Sequence, residues 1–351
     1  MPKYVESNES GLFDKAARLE ELPEMGDPLA RLDDVIDWSL FEPVFDRIPK
    51  AEPKGLGGRP SCHPLMMFKA MLVQNLYQLS DAQLEFQIAD RLSFKRFLGR
   101  SDADKSPDEK TFWAFREMLT THELIGPLFD TFHQRREASG MFARKGQMID
   151  ASFVEVPRQR NSREDKARIK AGEMPEAWRE HPEKARQKDI DARWARQNDE
   201  RHYGDKNHVK VDSRSKLIED FTVTPASVHD RNALDELVAE GDPPTYVDSA
   251  YTGERCEKIF SDKNVTAKAI ERAYRNQPLN GSQKRSNRAK SRVRVRVEHV
   301  FATMRMSMRA GWNRCLGLAR NRAVIAMTNL VYNLVRFEQI ERLGLRNWRA
   351  V

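Results

Sequence analysis

Cysteine is scarce. The 351 residues hold three, Cys62, Cys256 and Cys315, far apart and in no CxxC pair. That argues against a disulfide framework or a zinc knuckle and points to a reducing compartment. No Gly-rich phosphate loop of the P-loop type occurs, so ATP use is not indicated. The most apolar late stretch, AVIAMTNLVYNLV, is too short and too interrupted to span a bilayer. The opening residues, MPKYVESNES, lack the charged-then-apolar order of a signal peptide. There is no internal repeat. The expectation is a cytoplasmic protein with no membrane partner.

Charge, by contrast, is abundant. Charged residues make up 32% of the chain, with 60 Lys and Arg against 53 Asp and Glu, a net charge of +7. The mean hydropathy is −0.72 and the sequence pI about 9.2. A basic excess of this kind suggests a polyanionic partner, nucleic acid first. The length suits two domains and a sizeable core.

Residues 1–63 read as an N-terminal segment with short amphipathic pieces, such as 32–40, followed by a Gly- and Pro-rich stretch, AEPKGLGGRPSCH. Lys54 and Arg59 suit either a basic arm along a phosphate backbone or a solvated connector. Residues 64–140 are helical in pattern and form the expected DNA-binding domain. PLMMFKAMLVQNLYQLS predicts a helix from Pro64 that stops at Ser80, with Asp81 capping the next. Ser106 and Pro107 fit a further helix start. On that helix Lys110, Phe112, Trp113 and Arg116 suit a DNA-reading face; Phe112, Trp113 and Leu119 equally suit a bundle core.

After Gly140 the pattern changes. MFARKGQMIDASFVEVP reads as a strand carrying Asp150. Residues 158–205 are charged and poor in apolar residues, as in a solvated insertion outside any compact core. NHVKVDS and KLIEDFTVTPA read as strands joined by SRSK. A helix from Asp230 to Gly241, a strand carrying Asp248, a helix over GERCEKIFSDKN and a strand over VTAKAI follow. A polar segment, RNQPLNGSQKRSNRAK, leads to the helix over 291–309, and a long helix spans 319–343. The order predicts an α/β domain with a mixed sheet over 141–343, with 344–351 as a tail.

The stretch SRVRVRVEHVFATMRMSMR places one carboxylate, Glu298, among arginines. Its Val/Arg alternation also fits a strand. The apolar residues Val293, Val297, Val300, Phe301, Met304 and Met308 continue at helical spacing, which alternation does not explain. On a helix Arg294, Glu298 and Arg305 share one face, at about 100° per residue. A lone acid there suits surface ion pairs or chemistry. Asp150 and Asp248 each end an apolar run, where α/β sheets gather their sites. Converging carboxylates hold together best by sharing cations, and oxygen ligands favour Mg²⁺ or Mn²⁺. Two such ions, about 3.5–4 Å apart, suit in-line phosphoryl displacement.

The segments GQMIDASFVEVP, GDKNHVKVDSRSKLI, VTPASVHD, YVDSAYTG and RVRVEHVFATMR, in that order and spacing, resemble the DDE transposases of bacterial insertion sequences, most closely the IS-five family. HPLMMFKAMLVQNLYQLSDAQLEFQIADRLSFKRFLG resembles that family's N-terminal region. The resemblance implies an RNase H-like catalytic core after an all-helical domain. It implies catalytic and metal-holding roles for Asp150, Asp248 and Glu298, with two Mg²⁺ or Mn²⁺ ions per active site. Arg294 and Glu298 fit the family's Tyr-Arg-Glu-Lys signature; Arg305 takes the lysine position and Ser291 the tyrosine position. Lys206, Tyr251, Arg292 and Arg296, with Lys110 and Arg116 of the helical domain, are the further expected DNA contacts. His229 suits a ligand or phosphate contact, or packing beside a helix start at Asp230; His299 is expected to be structural. The implied activity is cleavage of element ends and joining of 3′ hydroxyls to target double-stranded DNA, by a homodimer on DNA at the bacterial nucleoid. The alternative is a non-catalytic DNA-binding regulator derived from a transposase.

Overall fold

The computed structural model describes residues 13–49, 61–197, 199–274 and 277–346. Lys54 and Arg59 lie outside them.

The described residues before the sheet form helices: α1 (Asp14–Glu24), α2 (Pro28–Val35), α3 (Glu42–Phe45), α4 (Pro64–Tyr77), α5 (Asp81–Asp90), α6 (Leu92–Phe97), α7 (Glu109–Thr121) and α8 (Ile125–Ala138). Two expected caps move by a residue or two. Ser80, not Asp81, caps α5, because its hydroxyl reaches the Gln83 N–H while the Gln83 side chain reaches back to the Ser80 N–H. Asp108, rather than Ser106, caps α7 by accepting from the Thr111 N–H. The segment expected to precede this domain packs into it, with Leu29, Phe41 and Val44 buried beside Phe68 and Phe97.

The sheet comprises β1 (Gln147–Glu155), β2 (Arg193–Gln197), β3 (Glu200–Asp212), β4 (Ile218–Pro225), β5 (Thr245–Val247) and β6 (Ala267–Ala269). Its order is β2-β3-β1-β5-β6, with β4 also on β3; β1, β5 and β6 are parallel and the rest antiparallel. This is the expected mixed α/β architecture. Between β1 and β2 run α9 (Arg163–Lys170), α10 (Glu176–Arg179) and α11 (Pro182–Ala185). Beyond β4 come α12 (Leu234–Leu237) and α13 (Glu254–Asp262), with α14 (Gly281–Met308) and α15 (Leu318–Arg342) last.

Three expectations change here. The charged segment does join packed structure: Trp178, Ala192 and Asp189 are buried, and β2 with the first part of β3 extends the sheet. Polar anchoring replaces the missing apolar stripe. Asp189 accepts from the Gly317 N–H and Asp191 from the Leu318 N–H, so two carboxylates satisfy the start of α15. Secondly, α14 begins ten residues before the expected helix, capped by Asn280 and Gln283. Thirdly, the helix expected from Asp230 to Gly241 is a 3-10 turn over Asp230–Ala233 followed only by α12.

Helix α15 is the central post. Its Leu330, Leu334 and Ile340 are buried in the large core shared by helical region and sheet, and Phe132 of α8 meets Phe337 edge-on at 6.0 Å. Buried amides fix the register of helix against sheet: Asn329 bonds Asn207 of β3, and Asn333 brackets both the N–H and the carbonyl of Ile218. Each satisfies backbone or side-chain groups that burial would otherwise leave unpaired.

Candidate active site

Strand register brings the two aspartates together. β1 and β5 are parallel, with Gln147 opposite Thr245 and Met148 opposite Tyr246. Continuing that offset by two residues sets Asp248 beside Asp150, on strands about 4.8 Å apart. Asp150 sits inside β1, fourth of nine residues, just past the apolar Met148 and Ile149. Asp248 does follow the last residue of β5, where its Oδ1 accepts from the Ala250 N–H at 2.7 Å.

Helix α14 supplies the third acid. Val297, Val300, Phe301 and Met304 are buried and hold the helix on the core. The flank about 90° round from those residues presents Arg294, Glu298 and Arg305. Arg294 Nη1 donates to Asp150 Oδ2 at 2.7 Å, and its Nη2 lies 4.0 Å from Glu298 Oε1. Arg305 Nη2 donates to Ser152 Oγ at 2.8 Å. The two arginines are about 16 Å apart along the helix, but Asp150 and Ser152 are only about 7 Å apart along the strand. The long side chains therefore lean towards each other, with Glu298 between them. Ser152 escaped the sequence reading. Its position two residues after Asp150, on the same face of a strand, was the available signal.

Burial pushes the Asp150 carboxyl up to about 7. Arg294 and the Ala151 N–H oppose that rise, while Asp248 and Glu298 add to it. The side chain is only 15% exposed, so a cation beside it relieves both desolvation and mutual repulsion. Here the Arg294 guanidinium fills that place. Among the described residues no group of three or more His, Cys, Asp or Glu side chains is close enough to hold a metal ion. The donors, all carboxylate oxygens, are of the kind that suits a hard divalent cation.

Several expected DNA contacts are committed elsewhere. Lys206 is buried, donating to Asp230 Oδ1 at 2.7 Å and to the Val228 carbonyl at 2.9 Å, over the Phe153 ring. Tyr251 is 2% exposed among Ile149, Val247 and Phe260, and its hydroxyl has no hydrogen-bond partner among the described residues. Burial, then Asp150, Asp230 and Asp248, push that hydroxyl well above the usual tyrosine value. Arg116 makes two bonds to Asp81 and a third to Gln74. In this structure Lys206 and Arg116 are thus paired, and Tyr251 buried, within the fold. Arg296 donates to the Ser213 carbonyl. Arg292 and Lys110 remain exposed. Phe112 and Leu119 face the core, but Trp113 is 52% exposed, contrary to the bundle alternative. His229 Nδ1 accepts weakly from the Arg231 N–H as a cap. His299, expected to be structural, is exposed.

Comparison with known families gives two matches. Residues 17–118 match the family described as Transposase domain (DUF772), and residues 142–334 match that described as Transposase DDE domain. No solved structure matches the chain. No described helix is long and apolar enough to cross a membrane.

Proposed function

The chain belongs to the transposases with a DDE domain, an RNase H-like fold, and on that premise we propose how it acts on DNA. It is a transposase of the IS-five type. It binds the terminal inverted repeats of its element, hydrolyses the phosphodiester at each end, and joins the freed 3′ hydroxyls to target DNA by direct transesterification. The family generally uses divalent metal ions. Asp150, Asp248 and Glu298 would hold two Mg²⁺ or Mn²⁺ ions. Such ions would supply activation of the attacking oxygen and stabilisation of the leaving 3′ oxygen.

The remaining chemistry falls to the chain's own groups. Arg294 leaves Asp150 for a substrate phosphate, which exchanges one anion for another around the same guanidinium. Arg305, steadied by Ser152, holds the backbone on the far side of Glu298. Arg292 extends the basic edge. Asp150, partly shielded from water, keeps its ligand oxygens in a region of low dielectric where charge pairs are strong. Joining two ends takes two such sites, so the working assembly is a homodimer on DNA. The helical region, proposed as residues 64–140, and the catalytic region, 141–343, meet the same duplex.

The observation that supports this reading is the grouping of acids from β1, the end of β5 and α14, near enough for Asp248 and Glu298 to act on the charge of Asp150, though among the described residues no three of them stand at metal-sharing distance. The test uses Asp150→Asn, Asp248→Asn and Glu298→Gln with end-bearing DNA and Mg²⁺. Each variant is expected to bind DNA yet lose cleavage and joining. Normal cleavage by any one of them ends the assignment for that residue. A second reading, a DNA-binding regulator without catalysis, draws on the Arg294–Asp150 bond, which neutralises an acid that would oppose a phosphate. It requires metal-independent binding as the sole activity of the wild-type chain. A strand-transfer assay separates the transposase from a nuclease that cuts without joining.

A further inference from the structure

A cleft of about 450 Å³ lies where the turn between α4 and α5 meets the loop between α14 and α15. That volume is within the range of small-ligand pockets, about 300–1,000 Å³. Trp312 is 50% exposed at its rim, and the Arg314 guanidinium lies 5.6 Å from its ring. Arg116 and Asp81 in the wall neutralise each other. Arg309 and Arg314 have no acidic partner among the described residues, so the cleft carries uncompensated positive charge.

The backbone adds an independent sign. Helices α4 and α14 both end in the left-handed region on a residue other than glycine, Gln78 at φ 57° and Arg309 at φ 47°. Such a residue costs about 1 kcal/mol that glycine would avoid. Gln78 is explained by its own contact, since Nε2 donates to the Ser307 carbonyl at 2.7 Å. The Arg309 side chain makes no bond among the described residues. Nothing among the described residues accounts for an arginine there.

Its position relative to the acids is fixed by two routes. From Glu298 to Arg309 is eleven helical residues, about 16 Å. From Asp150 to Glu155 is about 17 Å along β1. Glu155 pairs with the loop, its N–H on the Gly311 carbonyl and its carbonyl on the Asn313 N–H. The cleft therefore stands about five base steps, at 3.4 Å each, from the acids.

We propose that this cleft takes one unpaired nucleotide of the DNA substrate, its base stacked on Trp312 and its phosphate held by Arg309 and Arg314. The proposal rests on the reading of the protein as a transposase that binds DNA. An aromatic face beside free guanidinium groups suits an exposed base and its backbone, but offers nothing to a base kept inside a duplex.

The test uses the full chain in EDTA, with two labelled probes of one sequence. One is a blunt duplex, the other the same duplex with a short single-stranded thymidine flap. Anisotropy titration should show about tenfold tighter binding of the flap probe, as stacking of one base supplies. Trp312→Ala should abolish that preference while leaving blunt-duplex binding unchanged, and Trp312→Phe should keep it. Arg309→Gly should weaken flap binding several-fold while melting no lower than wild type, because it relieves the strained cap. Equal affinity of the wild type for both probes, or an undiminished flap preference in Trp312→Ala, overturns the proposal while leaving the transposase reading standing. Failure to bind either probe overturns both.

Discussion

Asp205→Asn should stabilise the protein, and by an amount that depends on pH. Asp205 lies on β3 with no exposure. Its Oδ2 accepts from Asn321 Nδ2 at 2.8 Å, and its Oδ1 has no partner among the described residues. Burial first, then Asp189 and Asp191, push the carboxyl up to about 7, against the pull of Asn321. In the unfolded chain the same group titrates near 3.9. Below about pH 4 both states hold the proton and ionisation costs nothing. As pH rises the unfolded chain releases the proton while the folded chain retains it, so stability falls until about pH 7. The gap corresponds to about 4 kcal/mol at about 1.4 kcal/mol per pH unit. Asparagine resembles the protonated acid and does not ionise. The variant should gain about 1–2 kcal/mol at pH 5 and about 4 kcal/mol at pH 8, the latter a rise in melting temperature of about 5 °C. Thermal and urea denaturation at the two pH values measure it. A variant no more stable than wild type at pH 8, or a gain equal at both, would refute the reasoning.

Other outcomes follow from single contacts. At Gly204 (φ 152°) an added Cβ would sit 2.2 Å from the Val154 carbonyl oxygen; Gly204→Ala should cost more than about 2 kcal/mol, seen as a lowered urea midpoint. Asp81→Ala strips the part-buried Arg116 of its bidentate partner and should cost about 2–3 kcal/mol by the same measure. Arg305→Lys keeps a charge able to reach Ser152 and should retain end cleavage within about tenfold, whereas Arg305→Gln should fall by about 100-fold; similar rates for the two would remove Arg305 from the site.

The most legible parts of the chain were those whose side chains repeat with a period. The apolar positions of α14 from Val293 to Met308, and the short apolar runs before Asp150 and Asp248, announced the helix and the strands. The first ten residues of α14 carry no apolar stripe, so only the Asn280–Gln283 box marked their start. The charged segment misled for a related reason. Its order depends on Asp189 and Asp191 reaching the N–H groups that open α15, more than a hundred residues away. Distance hid the commitments of the basic residues too: Lys206 reads as a free cation until Asp230 is placed beside it, and Arg116 until Asp81 is. Resemblance to a family located the acids; only the register of β1 against β5 makes two of them neighbours.

Because β3 runs without a break from Glu200 to Asp212, one ribbon serves both the inserted segment and the floor beneath the acids. Its early residues pair with β2, while Val209 lies opposite Asp150. Grafting a different insertion onto this framework must therefore preserve strand phase across the seam. One residue gained or lost would turn every later side chain of β3 over, exchanging the buried valines for Lys206, His208 and Lys210 under the catalytic face.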